Sequence, residues 1–248
     1  MLKRAAAVAA VLVSMTVSLF AANPFDEFRN QLVSQGTAVA QERLDSFTKD
    51  LGAVMGGGSY HQGESLGILG FDVGVQVPVK KVDDQDVIIK QSSLDSIALP
   101  ILQVEKGLPM DIDIIARFTT FQSATMFGVG VRYGLFKSDI PGLPGISLQA
   151  IYNKLDVSAD LNKLSATTIS ADAVVSIGLP IITPYLGVGI DKTEVTPDST
   201  IVDLKGTAQT THIEGGVNLA LIPFTYIKIG ATMIDGSMGY DAGLGVKF

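Results

Sequence analysis

The chain has 248 residues, 47% of them hydrophobic, with 26 Gly, 18 Lys+Arg against 25 Asp+Glu, and neither Cys nor Trp. A mean hydropathy of +0.37 with 17% charged residues excludes disorder, and the missing Cys excludes a disulfide scaffold and a Cys-ligated metal centre. Net charge −7 argues against a general nucleic-acid binder, which would be basic.

Residues 1–22 read as a secretory signal peptide: basic Lys3-Arg4, an apolar run, then small Ala21-Ala22. A retained anchor is the alternative. Cleavage would remove Lys3 and Arg4 and leave a charge of −9. No Cys follows the apolar run, which excludes a lipoprotein anchor.

Residues 23–58 form a second region. Asn23-Pro24 suits a helix start. Phe25, Phe28, Leu32 and then Leu44, Phe47, Leu51 recur at helical spacing, with charges on the other faces and Gly36 as a weak point. The region ends in the Gly56-Gly57-Gly58 hinge. Its polar face is not rich in Lys and Arg, so an interfacial anchor is disfavoured. The expectation is an amphipathic helix acting as a plug inside a barrel or as a cap on its periplasmic rim.

From residue 59 to 248 the period becomes two. In Phe127, Val129, Val131, Tyr133 and Leu135, apolar side chains alternate with Gly128, Gly130, Arg132 and Gly134. Ten strands are expected, at about 65–78, 94–106, 109–121, 124–137, 145–159, 162–179, 182–195, 206–222, 224–235 and 237–248. Many span ~10–13 residues, the length a tilted membrane strand needs, against a mode of ~5–6 in soluble sheets. The expected fold is therefore all-β: an antiparallel transmembrane β-barrel of about ten strands, with eight to twelve as the range.

Gly-Leu-Pro recurs at 107–109, 142–144 and 178–180, with Leu221-Ile222-Pro223 as a looser copy. Proline cannot donate to a ladder, so these copies should mark short turns at one rim, the periplasmic one. The N-terminal segment and Phe248 are expected on that same side. Phe118, Phe121, Phe127, Tyr133, Tyr152, Tyr185, Phe224, Tyr226, Tyr240 and Phe248 are assigned to an outward aromatic girdle. The acidic stretch Lys80–Asp86 reads as a solvated loop, with no metal assigned.

Placing the apolar phase against lipid leaves Asp72, Asp113, Arg117, Arg132, Asp172, Glu214, Lys228 and Asp241 as candidate lumen-lining residues. Gln76, Asp111, Asn153, Asp191, Asn218 and Lys247 share that phase. His212 and Glu214 lie on one face, but a single pair at i, i+2 is a weak catalytic signal. His61 reads as a loop residue. No catalytic, cofactor or metal site is assigned, and the chain is expected not to be an enzyme.

The stretches 142–155 (Gly142-Leu143-Pro144 through Leu155) and Thr183–Gly189 resemble those of an uncharacterised family of secreted bacterial proteins of unknown function, with an N-terminal helix and an outer-membrane-type barrel. The helix-then-barrel order is more loosely similar to fatty-acid-transporter barrels, which are longer. The terminal Phe248 resembles the signal read by the machinery that assembles outer-membrane barrels. These resemblances imply residence in the outer membrane of a Gram-negative-type bacterium, with its lipid and that assembly machinery as partners. The expected function is passive passage or binding of a small or apolar molecule, with the helix as plug. A structural or adhesion barrel is the alternative, and a barrel enzyme the third reading.

Overall fold

The computed structural model describes residues 25, 27–34, 36–137, 142–159 and 162–248. The expected signal peptide, 1–22, lies outside the described residues. Among the described residues, three helices, α1 (Phe28–Val33), α2 (Thr37–Gly56) and α3 (Val87–Gln91), accompany eleven strand segments. The strands are β1 (Phe71–Lys81), β2 (Ser96–Ala98), β3 (Ile101–Gly107), β4 (Ile112–Phe121), β5 (Ala124–Phe136), β6 (Pro144–Ala159), β7 (Asn162–Ile177), β8 (Ile182–Pro197), β9 (Gly206–Ile222), β10 (Thr225–Ile234) and β11 (Ser237–Lys247). Among the described residues no helix is long and apolar enough to cross a membrane.

Every neighbouring pair is antiparallel. β11 returns to β1 from Asp72↔Lys247 to Lys80↔Gly239 and closes the sheet. β2 and β3 share one strand position, since both pair with β1, at Val79↔Ala98 and Gln76↔Ile101. Pro100 lies between them, lacks an N–H and restrains the residue before it, which breaks the strand there. The result is a closed antiparallel barrel with ten strand positions. The alternation expected for a barrel turned inside out is present. On β5, Phe127 and Val131 are 56% and 53% exposed, while Arg132 between Val131 and Tyr133 is fully buried.

The Gly-Leu-Pro copies fall at one rim. Gly107-Leu108-Pro109 joins β3 to β4, Gly142-Leu143 leads into Pro144 of β6, and Gly178-Leu179-Pro180 joins β7 to β8. Gly142 N–H donates to Gly178 O at 3.0 Å, which ties two copies together. Phe71 N–H donates to Phe248 O, so both ends of the barrel wall meet at this rim.

The N-terminal helices are elsewhere, and this corrects the sequence expectation. Gln41 of α2 donates to Lys205 O, Asp45 accepts from Thr207 N–H, and Lys49 lies 3.1 Å from Asp83. Those partners belong to the connections opposite Phe248. α1 and α2 therefore cap the far rim, not the Phe248 rim, and residues 57–66 run through the lumen to join them to β1. The first strand begins at Phe71 rather than 65 for the same reason: the preceding residues fill the lumen. β6 to β9 are 16 or 17 residues long, more than the ~9–11 a crossing needs. Their far ends form the wall on which α2 leans, chiefly β7, β8 and β9.

The expected apolar stripe is the face that docks. Phe28, Leu32, Leu44 and Phe47 are fully buried, and the Phe28 and Phe47 rings lie 5.0 Å apart. They join Ile88, Ile89, Ile97, Leu99, Leu155 and Val195 in a core confined to the far end of the barrel. Gly52 and Gly56 let α2 enter so deeply. A Cβ on Gly52 would overlap the Thr193 side chain, and one on Gly56 would lie 2.5 Å from Asp191 Oδ1.

Candidate functional site

Below the apolar core the lumen is polar. Asp72, Asp113, Arg117, Arg132, Asp172, Glu214, Lys228 and Asp241 all face the interior, none more than 5% exposed. Gln76, Asn153, Asp191 and Asn218 join them there. Asp111 does not: it sits exposed in the β3–β4 turn at φ 56°, where its carboxylate accepts from Ser65 Oγ. Lys247 ends the last strand, and its Nζ donates to Gln62 Oε1 at 2.7 Å.

Strand register gathers the charges into three clusters of one positive or protonatable group between two carboxylates. Arg132 on β5 stands directly opposite Asp113 on β4, and its Nη2 lies 2.7 Å from Glu105 on β3. Lys228 Nζ on β10 is 2.9 Å from Asp241 and 3.1 Å from Glu214. His212 on β9 is held on both ring nitrogens, Nε2 to Asp172 at 3.0 Å and Nδ1 to Asp191 at 2.9 Å. The last cluster depends on Gly189, which separates Asp172 from His212 in the register. A Cβ at Gly189 would overlap Asp172 Oδ1 and lie 2.7 Å from His212 Nε2. Glu214 is therefore not the partner of His212 that its i, i+2 spacing suggests. It turns to Lys228 and accepts from Tyr185 Oη at 2.8 Å.

Arg117 differs from the other cations. It is fully buried, and among the described residues it makes no ion pair. Its guanidinium donates instead to Met55 O at 2.8 Å and to Gly57 O. These are carbonyls at the C-terminal end of α2, which a helix leaves without internal donors. The wall grips the threaded segment at further points. Gln103 donates to Ser59 O and Gln149 to Ser59 Oγ, while Gly63 N–H donates to Ser176 Oγ and Leu66 N–H to Asp113. His61 stacks on Tyr226 at 4.4 Å with its Nε2 3.2 Å from Asp72, and Tyr226 Oη donates to the same carboxylate.

Several of these residues escaped the sequence reading. His61 is a lumen residue, not a loop residue. Tyr185 and Tyr226 are 5% and 3% exposed and belong inside, not to the outward girdle. Strand phase places them there, since Tyr185 is in step with Gly187 and Gly189, and Tyr226 with Lys228. Phase also marks Gln103 and Glu105, in step with buried Ile101. Lys80 and Asp86 were assigned to a solvated loop. Lys80 instead ends the inward row of β1 and pairs with Asp50 of α2 at 2.9 Å. Asp86 is buried and caps α3 by accepting from Ile89 N–H.

A closed antiparallel wall with an apolar exterior, a charged interior and its own N-terminal segment inside defines an outer-membrane-type β-barrel. The chain belongs to the Family of unknown function (DUF6588), matched over residues 88–247, in keeping with the resemblance carried by 142–155 and 183–189. No curated protein matches its sequence. Among solved structures it is similar to the N-terminal β-barrel domain of Pseudomonas aeruginosa OprF, at 15% identity and TM-score 0.37, over 75% of this chain and 100% of that one. It is also similar to the KdgM porin, at 7% identity and TM-score 0.39, over 71% and 99% of the two chains. A third is the Escherichia coli outer membrane protease OmpT, at 8% identity and TM-score 0.39, over 72% and 96%.

Proposed function

We propose that the protein spans the outer membrane of a Gram-negative-type bacterium and passes a small polar solute when residues 57–66 leave the lumen. The outward apolar rows supply the surface that lipid covers. Phe248, 63% exposed and stacked on Phe224 at 5.5 Å, adds an aromatic pair at the rim of that surface. The observation that carries the reading is Arg117. A buried cation whose shortest hydrogen bonds go to Met55 O and Gly57 O, with Asn153 Oδ1 of the wall at 3.5 Å, makes the plug part of the lumen's hydrogen bonding, yet no disulfide fixes it there. Catalysis is disfavoured, because both nitrogens of His212 are occupied by carboxylates and neither is free to act as a base.

The chain has no Cys, so the test is direct. Ser59→Cys with Gln149→Cys places two thiols where the wall touches the plug. Without cross-linking, the full chain in a planar bilayer should show openings; a short bis-maleimide that joins the two thiols should abolish them. Equal conductance in both states would refute the plug. Silence in both would refute passage.

Binding of an apolar molecule is a second reading with its own observation. The β3–β4 ladder stops at Leu102↔Phe118, although β4 continues to Phe121 on its β5 side. Beside that gap lies a cavity of about 40 Å³ lined by Phe47, Leu51, Ile89, Leu99, Phe121 and Leu155 among others.

A further inference from the structure

Resting on the passage reading above, we infer that the solute class the lumen selects is small hydrated cations. Each of the three wall clusters sets two carboxylates around one positive or protonatable group. Asp72 adds a further acid, whose contact with His61 ends when the plug leaves. Counting groups at most 5% exposed on the wall, seven carboxylates face four permanent cations, Lys80, Arg117, Arg132 and Lys228. The plug does not redress this balance, since the permanently charged residue within 57–66 is Glu64, an acid.

A second observation shows where a cation would sit. A cavity of about 20 Å³ lies between the plug at Gly56–Tyr60 and the wall at Asp191, Glu214 and Asp241. Asp241 and Tyr60, 3% and 2% exposed, both line it, and each keeps one buried oxygen, Oδ1 and Oη, without a hydrogen-bond partner among the described residues. A carboxylate oxygen and a hydroxyl left unpaired beside so small a polar space are costly unless a hydrogen-bond partner or a cation reaches their oxygens. Walls of one sign in a narrow, low-dielectric passage focus the field and raise the local concentration of counter-ions. Rings of Asp and Glu select cations on the same principle.

The test uses the full chain carrying Ser59→Cys and Gln149→Cys, not cross-linked, in a planar bilayer under a KCl gradient. The reversal potential should give a potassium-to-chloride permeability ratio several-fold above one. Asp241→Asn should lower that ratio, whereas Thr125→Asn, on the outward face of β5, should leave it unchanged. A ratio at or below one in the parent overturns this inference while leaving passage intact. A cation-selective parent whose ratio Asp241→Asn leaves unchanged overturns the assignment to this site. If Asp241→Asn fails to fold, Glu214→Gln takes its place and the parent ratio alone decides the sign. Silence of every form overturns passage and this inference with it.

Discussion

Replacing Arg117 by Ala should free the plug without touching the plug itself. The guanidinium makes two charge-assisted bonds, to Met55 O and Gly57 O, each worth about 1.5–3 kcal/mol when a charged partner is removed. Taking the lower bound for both gives about 3 kcal/mol, or roughly a 100-fold rise in the population with the plug displaced. The assay needs one reporter. Ser59 is 1% exposed and contacts both Gln103 and Gln149, so Ser59→Cys gives a single thiol that reacts only from the displaced state. When opening and closing are fast relative to labelling, the labelling rate follows that population. The rate should rise by about two orders of magnitude in Arg117→Ala and by less in Arg117→Lys, which keeps the charge but loses the fork. An unchanged rate, with the barrel folded, would mean that the plug is held by its other contacts and would remove the central support for the gating reading.

Three other outcomes follow from single positions. Gly189→Ala should destabilise the barrel by about 1–3 kcal/mol in urea, because the new methyl enters the contact between Asp172 and His212; unaltered stability would show that the pair can move apart freely. Burial pushes the Asp86 carboxyl up to about 8, against ~4 in an unfolded chain, so the folded state holds this proton longer. Its stabilising contribution is then full below about pH 4 and fades as pH rises through 8. Asp86→Asn, which keeps the cap on Ile89, should flatten the fall in stability across that window, and an identical slope would remove Asp86 as its source. Finally, Val39→Cys on α2 and Ser199→Cys should both react with an impermeant thiol reagent in intact cells, and Met110→Cys at the opposite rim should not. Protection of residue 39 alone would show that the helices are not on the outer side.

The wall was legible because its rule is local. Strand period two assigns each side chain to lipid or lumen, and a one-residue error would invert every assignment at once. Phe127, Val129 and Val131 read outward and Arg132 inward from β5 alone. The same rule places Tyr185 and Tyr226 inside; aromatic type alone, which puts them in the girdle, does not distinguish the two faces. Proline punctuation was equally local: the Gly-Leu-Pro copies share one rim, although the two-residue turns 122–123 and 235–236 lie at the other.

What joins the plug to the wall is not local, and it escaped for that reason. The stripe Phe28, Leu32, Leu44, Phe47 says that a face is covered, but not by which end of a barrel. The rim is chosen by fit at distant positions: Gly52 against Thr193, Gly56 against Asp191, and Lys80 reaching Asp50 across 30 residues. Each of those residues has an ordinary explanation on its own, as helix glycine, strand polar group or loop lysine. Only when Arg117 is found without a carboxylate and with helix carbonyls in its place does the arrangement acquire a direction. The cation that finds no carboxylate on the wall is solvated by carbonyls at the helix end. The clusters around Arg132, His212 and Lys228 carry the opposite imbalance, two carboxylates to each positive or protonatable group, to which the plug adds no permanent cation. A lumen built only for rigidity would gain from matching every acid to a base, since a buried charge left unpaired is destabilising. The surplus is therefore the feature of the interior that rigidity does not explain, and it is the one that ion selectivity measures.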